Sequence, residues 1–446
     1  MTYILPLLML LALIAAIFTG YPVAFSLAGL SVLFMFLADI PMASFSLVTS
    51  RVFGAVLENW ILAAIPLFIF MGNMLEKSKI ADNLLIELES LFRGRPGGLG
   101  LAVVTLGIIM AASTGIIGAS VVLMGTMALP LMLKQGYNKT VAIGTVLGSG
   151  TLGILLPPSI MLVVFGDVMQ IPIGSLFAAA VIPGLMLGIF YALYIVYVAF
   201  TAPEKVPATQ KVTGVQNSGV VLRLLKNLVV PGLLIASVLV SIVVGIATPT
   251  EGAAIGALGA TLLVLFTGQM SWRTMADTLK DTCLTTGMIL ILAVAATAYS
   301  LVFKRIGGQS MIEDAVSSFG MSPYLVVLAI MLLIFILGFF LEWIEISFLV
   351  LPLLAPIVAG LDFGDSFVNS GEVLLWFAML VAVNLQTSFL TPPFGYALFY
   401  LKGIGIPGIS TVDIYRGVVP IVVLQLVGVL LIALIPALAL WLPGKL

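Results

Sequence analysis

Apolar runs at about 3–19, 22–38, 55–75, 98–132, 140–168, 174–200, 228–247, 250–268, 283–303, 322–360, 372–401 and 414–441 occupy most of this chain. One crossing of a bilayer takes roughly 20 apolar residues. The runs at 98–132 and 322–360 are far longer than that, so each must enter the membrane and turn. Of 446 residues, 62% are hydrophobic and only 8% charged. Mean hydropathy is +1.28, which no soluble core requires. The expected fold is an all-α polytopic membrane protein.

Several function classes fall away at once. The chain has no histidine, which removes histidine-ligated zinc and haem and every hydrolase triad that needs an imidazole. The stretch "DFGD", Asp362 to Asp365, lacks the leading glycine of a membrane aspartyl protease signature. Convincing nucleophile–base pairs are also missing, so neither an enzyme nor a cofactor is expected. A single cysteine, Cys283, gives no internal disulfide and no thiolate metal site. Net charge is −1 and no basic tract stands out, so nucleic acid is not an expected partner; the lipid bilayer is. The opening "MTYILPLLMLLALIAAIFTG" has no positive n-region and reads as a first span rather than a signal peptide.

Charge placement orients the spans. With the loop at 76–96 inside, the loops at 133–139, 201–227, 269–282 and 402–416 fall inside as well, carrying 14 of the 18 Lys and Arg residues. Arg51, Lys304, Arg305 and Lys445 remain outside. This bookkeeping is the same for a hairpin and for a full helical pair, so the turns must separate them. The first turn, "AASTGIIGAS" at 111–120, is uncharged, hydroxylated and too short to reach the far surface, as a re-entrant tip would be. The second, "GFFLEWIEIS" at 338–347, carries Glu342 and Glu345 three residues apart. Those two carboxylates read either as coupling or substrate groups or as acids solvated at a tip.

Two further spans break in the same way. "SGTLGILLPPSI" (149–160) and "NLQTSFLTPPFG" (384–395) each place a double proline inside an apolar run. Proline lacks the N–H that continues a helix and pushes its predecessor out of the α region. Pro157–Pro158 and Pro392–Pro393 should therefore each end one half-helix and begin another at mid-membrane depth. Carbonyls freed ahead of the prolines, with the hydroxyls of Ser149, Thr151, Ser388 and Thr391, suit Na⁺. Free N–H groups after the prolines suit a carboxylate or sulfonate. Each half reads hairpin, broken span, full helix, with 43 residues from Thr114 to Pro157 and 50 from Glu342 to Pro392. One hairpin enters from inside and the other from outside, so the halves are an inverted repeat. Such repeats with discontinuous helices are the architecture of secondary transporters.

The expected organisation is N-terminal scaffold helices at 1–75 and an interfacial arm at 76–96. Repeat 1 follows at 97–200, with its inner hairpin at 98–132 and broken helix at 140–168. A flexible cytoplasmic linker (201–227), scaffold helices (228–268) and a second arm (269–282) lead to repeat 2 at 283–446, with its outer hairpin at 322–360 and broken helix at 372–401. Glu251, just after "TPT", reads as a first-turn acid or as a contact between scaffold and moving domain. Asn73 and Asp167 read as interfacial.

Six segments in order, "GYPVAFSLAGL" (20–30), "ASTGIIGAS" (112–120), "GSGTLGILLPPS" (148–159), "PTEGAAIGA" (249–257), "LGFFLE" (337–342) and "TSFLTPPFG" (387–395), resemble the large membrane subunit of tripartite ATP-independent periplasmic (TRAP) transporters. The resemblance implies an elevator-type fold with two re-entrant hairpins and two broken helices. It also implies Na⁺-coupled symport of an organic acid, a small four-helix membrane subunit and a periplasmic substrate-binding protein as partners, and a multi-pass place in a bacterial cytoplasmic (inner) membrane. Carried onto this sequence, a first Na⁺ site takes Ser113, Thr114, Gly115, Ser149, Gly150 and Thr151. A second takes Gly338, Leu341, Ser388, Thr391 and Phe394. Gly153, Pro157, Pro158, Ser159, Glu342, Thr387, Pro392 and Pro393 would form the hinge and substrate walls. Glu342 stands where many family members have Asp. The competing reading is a stand-alone ion-coupled dicarboxylate carrier or antiporter of similar architecture, which would work without a binding protein.

Overall fold

In hydrocarbon, backbone donors and acceptors are satisfied only within helices or where irregular chain is enclosed by protein. The computed structural model, which describes residues 3–41, 44–78, 80–92, 94–115, 117–208, 220–318 and 320–446, follows that rule and has no strand among them. Helices α1 (Ile4–Phe18), α2 (Val23–Leu37), α3 (Ser44–Val52), α4 (Ala64–Lys77) and α5 (Ile80–Leu91) open the chain. Helices α6 (Gly98–Thr114) and α7 (Ile117–Lys134) form the first hairpin; α8 (Lys139–Thr151) and α9 (Ile160–Met169) flank the first double proline, and α10 (Ile173–Thr201) closes the half. The second half repeats the order with α11 (Val220–Val243), α12 (Pro249–Phe266), α13 (Trp272–Arg305) and α14 (Gly308–Ser318). Its hairpin is α15 (Pro323–Leu337) with α16 (Trp343–Glu345), which continues through a π turn into α17 (Leu351–Ala359). Helices α18 (Ser370–Leu390) and α19 (Tyr396–Gly403) flank the second double proline, followed by α20 (Thr411–Leu434) and α21 (Ala437–Leu440). Among the described residues, six helices are long and apolar enough to cross a membrane.

The two halves make matching contacts. Helix α8 packs along α20, and α18 packs along α10, so each broken helix leans on the last long helix of the opposite half. In the same way α7 meets α19 and α17 meets α9, α4 meets α12 and α13 meets α2, and α1 packs on α2 as α11 packs on α12. An inverted repeat yields such a scheme: one half's contacts are regenerated by the other with the partners exchanged.

Two features differ from the sequence reading. Helix α13 runs 34 residues without interruption, so its polar first turns from Trp272 to Asp281 lead straight into a span instead of lying apart as an arm. No glycine or proline separates Asp281 from the apolar run, and nothing there stops the helix. The start of the 201–227 linker is also held in place. Val206 O accepts the Gly97 N–H at 2.8 Å and Lys205 O accepts the Asn138 N–H at 2.8 Å, tying it to the base of the first hairpin. Residues 209–219 lie outside the described ones.

Local capping fixes where several spans begin. Thr248 and Glu251 close a reciprocal capping box on α12, with the Glu251 carboxylate accepting the Thr248 N–H at 2.8 Å and its hydroxyl at 2.9 Å. That assigns Glu251 a cap. Ser410 and Asp413 do the same for α20.

Candidate functional site

At the first break α8 ends at Thr151 and passes through one 3₁₀ turn, Leu152–Ile154; the Pro157–Pro158 peptide is cis, and α9 starts at Ile160. The whole stretch from Val141 to Phe165 is buried, which lets irregular backbone persist inside an apolar chain. The hairpin clasps it closely. A Cβ on Gly107 of α6 would lie 2.5 Å from Ser149 Cβ, and one on Gly150 would lie 3.1 Å from Val121 Cα of α7. Gly115 turns the tip in the left-handed region at φ +61°, and a Cβ there would lie 3.3 Å from the Ile160 side chain at the start of α9.

Hydroxyls at this break divide into two kinds. Thr151 donates to Gly148 O at 3.0 Å and Ser159 to Ile154 O at 2.5 Å, each serving a carbonyl that the broken helix leaves behind. Ser149 is 1% exposed, and its hydroxyl has no hydrogen-bond partner among the described residues. A buried orphan hydroxyl costs about 1–3 kcal/mol. It is a neutral oxygen in the place expected to hold a cation. Ser149 meets the hairpin at Gly107, two turns before the tip, rather than at Gly115. The side chains of Ser113 and Thr114 lie outside the described residues; only their helical backbone is placed.

The second break is built alike and is more open. Helix α18 ends at Leu390, the Pro392–Pro393 peptide is cis, and α19 starts at Tyr396. Pro393 and Phe394 are exposed, whereas no residue of the first break is. A Cβ on Gly338 would lie 2.5 Å from Ser388 Cβ and 2.7 Å from its Oγ, so only glycine lets the outer tip seat on α18. Thr387, Ser388 and Thr391 donate to Val383 O, Asn384 O and Thr387 O at 3.2, 3.0 and 2.7 Å. Each hydroxyl oxygen keeps lone pairs that can accept or coordinate. Leu341 is buried in the tip, and the Phe340 ring lies 5.2 Å from that of Phe394.

The two acids of the outer tip hold each other's backbone. The Glu345 carboxylate accepts the Glu342 N–H while the Glu342 side chain accepts from the Glu345 backbone, a capping box that starts α16. Both are half-buried, and Tyr396 of α19 donates to Phe340 O in the same tip at 3.0 Å. Tyr400 of α19 abuts the first hairpin, its ring carbon lying 2.9 Å from where a Gly118 Cβ would sit. Helix α19 thus bridges the arm of one hairpin and the tip of the other.

Sequence reasoning missed three positioning groups, Tyr396, Gln425 and Asn59, and one buried polar side chain, Gln386. Tyr396 donates to Phe340 O at 3.0 Å and fastens the outer tip to α19. Gln425 of α20 donates to Tyr191 of α10 at 2.9 Å. A lone glutamine in an otherwise apolar span is the signal that could have pointed to Gln425. Gln386 of α18 is fully buried, with both side-chain polar atoms unpartnered among the described residues. Asn59 donates to Asp167 at 2.5 Å, joining the segment after α3 to the end of α9.

Comparison with known proteins agrees with this architecture. The profile of the family described as "Tripartite ATP-independent periplasmic transporter, DctM component" matches residues 10–438. The C4-dicarboxylate TRAP transporter large permease protein DctM of Vibrio cholerae is 28% identical over 98% of this chain and 97% of that protein. The protein of the same name from Pseudomonas aeruginosa is 30% identical over 87% of each. Among solved structures, the Alcanivorax borkumensis YdaH transporter, described as having an unusual topology, superposes with a TM-score of 0.62 over 91% of each chain at 12% identity, a likeness of fold.

Proposed function

The chain belongs to the DctM family of TRAP transporter large permease subunits, and from that membership we propose that it imports an organic acid anion by Na⁺-coupled symport through an elevator mechanism. The observation that carries the proposal is the pair of proline-broken helices, each seated against a hairpin through a glycine contact, Gly107 on Ser149 and Gly338 on Ser388. The oxygens at both breaks are neutral hydroxyls and carbonyls, a set that suits a monovalent hard cation. No group of three or more His, Cys, Asp or Glu that could hold a multivalent ion occurs among the described residues.

In this reading Na⁺ binds first at Ser149 with the carbonyls of α8, and at Ser388 and Thr391 with Gly338 and Leu341. Each ion draws a hairpin onto its broken helix. The anion then lies between the tips, toward the N–H ends of α9 and α19. The hairpin-bearing body moves against scaffold helices α1–α5 and α11–α14, and differential binding of Na⁺ and anion to the two facing states drives it. Phe340 at the outer tip meets Phe18 at the end of α1, ring centroids 5.1 Å apart. That end of α1 is cytoplasmic in the charge-based orientation, which supports a hairpin body at the inward end of its travel. A small membrane subunit and a periplasmic binding protein complete the transporter in a bacterial inner membrane. The relatives named above are C4-dicarboxylate transporters, so a carboxylate cargo is the first to try.

Reconstitution tests this directly. Uptake of a C4-dicarboxylate into proteoliposomes should need an inward Na⁺ gradient, the small subunit and the binding protein together. Uptake by this chain alone would instead establish a stand-alone carrier.

A further inference from the structure

Only four basic residues fall outside in the charge-based orientation, and two of them, Arg51 and Lys304, line one cavity of about 670 Å³. Arg51 ends α3 in the first half and Lys304 ends α13 in the second, 253 positions away. Arg305 follows directly at the same helix end. Helix dipoles favour a basic residue in the last turn of any helix. They do not require two such turns, from opposite halves, to converge on one opening. The far wall of the cavity comes from the hairpin body: Asp167 at the end of α9 and Phe348, Pro352 and Pro356 in the second arm of the outer hairpin. Its volume falls in the range of about 300–1,000 Å³ usual for small-molecule sites.

The charge balance of the cavity favours an anion. Arg51 and Lys304 form no ion pair among the described residues, while the one carboxylate in the wall, Asp167, is engaged by Asn59. The cavity is separate from both proline breaks, since no residue of 149–160 or 384–395 lines it.

We propose that this vestibule is a binding site for the cargo anion on its outer approach, with Arg51 and Lys304 on the scaffold holding its carboxylate or sulfonate while the outer hairpin supplies the opposite wall. The role in transport rests on the import reading above; the anion site itself rests on the cavity and its two cations. It also supplies a cationic clamp, which neither proline break, 149–160 or 384–395, contains.

The test uses the purified full chain with Cys283→Ser as background and Ser300→Cys as a reporter, since Ser300 lines the vestibule. Reaction rates are compared for 2-sulfonatoethyl methanethiosulfonate, an anion, and its trimethylammonium counterpart, a cation. Adding Arg51→Gln with Lys304→Gln should lower the anion-to-cation rate ratio about tenfold, and Asp167→Asn should raise it. Neither change should move the ratio at native Cys283, measured without the other cysteine. An unchanged ratio at the reporter, or an equal fall at Cys283, would overturn the site. The assay needs neither sodium nor partner subunits, so that result would leave the import reading standing; a lowered ratio beside failed reconstituted uptake would strike the import reading alone.

Discussion

Gly338→Ala should loosen the outer hairpin from its broken helix, and the cost can be worked from the contact. The added methyl would lie 2.5 Å from Ser388 Cβ and 2.7 Å from its Oγ, where ordinary contact begins near 3.4 Å. Both blocking atoms sit next to the α18 backbone, so the tip must move by roughly 1 Å or the helix must yield; overpacking of this kind costs about 1–3 kcal/mol. Backbone conformation offers no rival explanation, because Gly338 is right-handed at φ −65° and alanine by itself would be favoured there. Ser388→Gly removes both blocking atoms at a helix cost of about 1 kcal/mol. The double variant should therefore be less damaged than the sum of the singles, with a coupling of about 1–2 kcal/mol. Thermal unfolding in detergent reads this at roughly 1–2 °C per kcal/mol for a chain of this size. Gly232→Ala in α11, where an added methyl meets nothing within 4 Å, serves as the reference and should melt at or above wild type. Strict additivity of Gly338→Ala and Ser388→Gly, or a Gly338→Ala melt equal to that of Gly232→Ala, would refute the seated-tip geometry.

Other contacts give further expectations. Tyr396→Phe orphans Phe340 O at the outer tip and should cost about 1 kcal/mol, with weaker Na⁺ stabilisation because the proposed second Na⁺ site includes the tip. Tyr191→Phe leaves buried Gln425 without its acceptor and should cost about 1–3 kcal/mol, read as a lower melting temperature in Na⁺ and K⁺ alike. Thr248→Ala breaks the capping box of α12 and should lower stability by about 1 kcal/mol while leaving the Na⁺ increment unchanged, since the cap lies outside both breaks.

The sequence revealed what is locally encoded. Proline chemistry acts on adjacent residues, so Pro157–Pro158 and Pro392–Pro393 announced both breaks, and runs too long for one crossing announced both hairpins. Gly115 and Gly338 could be singled out by type. The particular contacts, with α9 and with Ser388, depend on how the hairpins dock. Ties between distant residues left no local trace: Asn59 reaches Asp167 across 108 positions and Gln425 reaches Tyr191 across 234. The same holds for Arg51 and Lys304, which read in sequence as scattered outer charges and share one cavity in the fold. Glu342 and Glu345 showed a third limit. Their spacing was plain, but whether they serve ligand or backbone depended on the cap they form at the tip.

The most direct test of Na⁺ coupling is the melting temperature of the purified chain in Na⁺ against equal K⁺, for wild type and Thr391→Ala. A ligand that binds only the folded state stabilises it by RT ln(1 + [L]/Kd), about 2.7 kcal/mol at a hundredfold excess over Kd. Saturable stabilisation specific to Na⁺, smaller in Thr391→Ala because the hydroxyl beside Thr387 O is gone, is the expected result. Equal melting in both salts at every concentration would contradict Na⁺ binding at the broken helices.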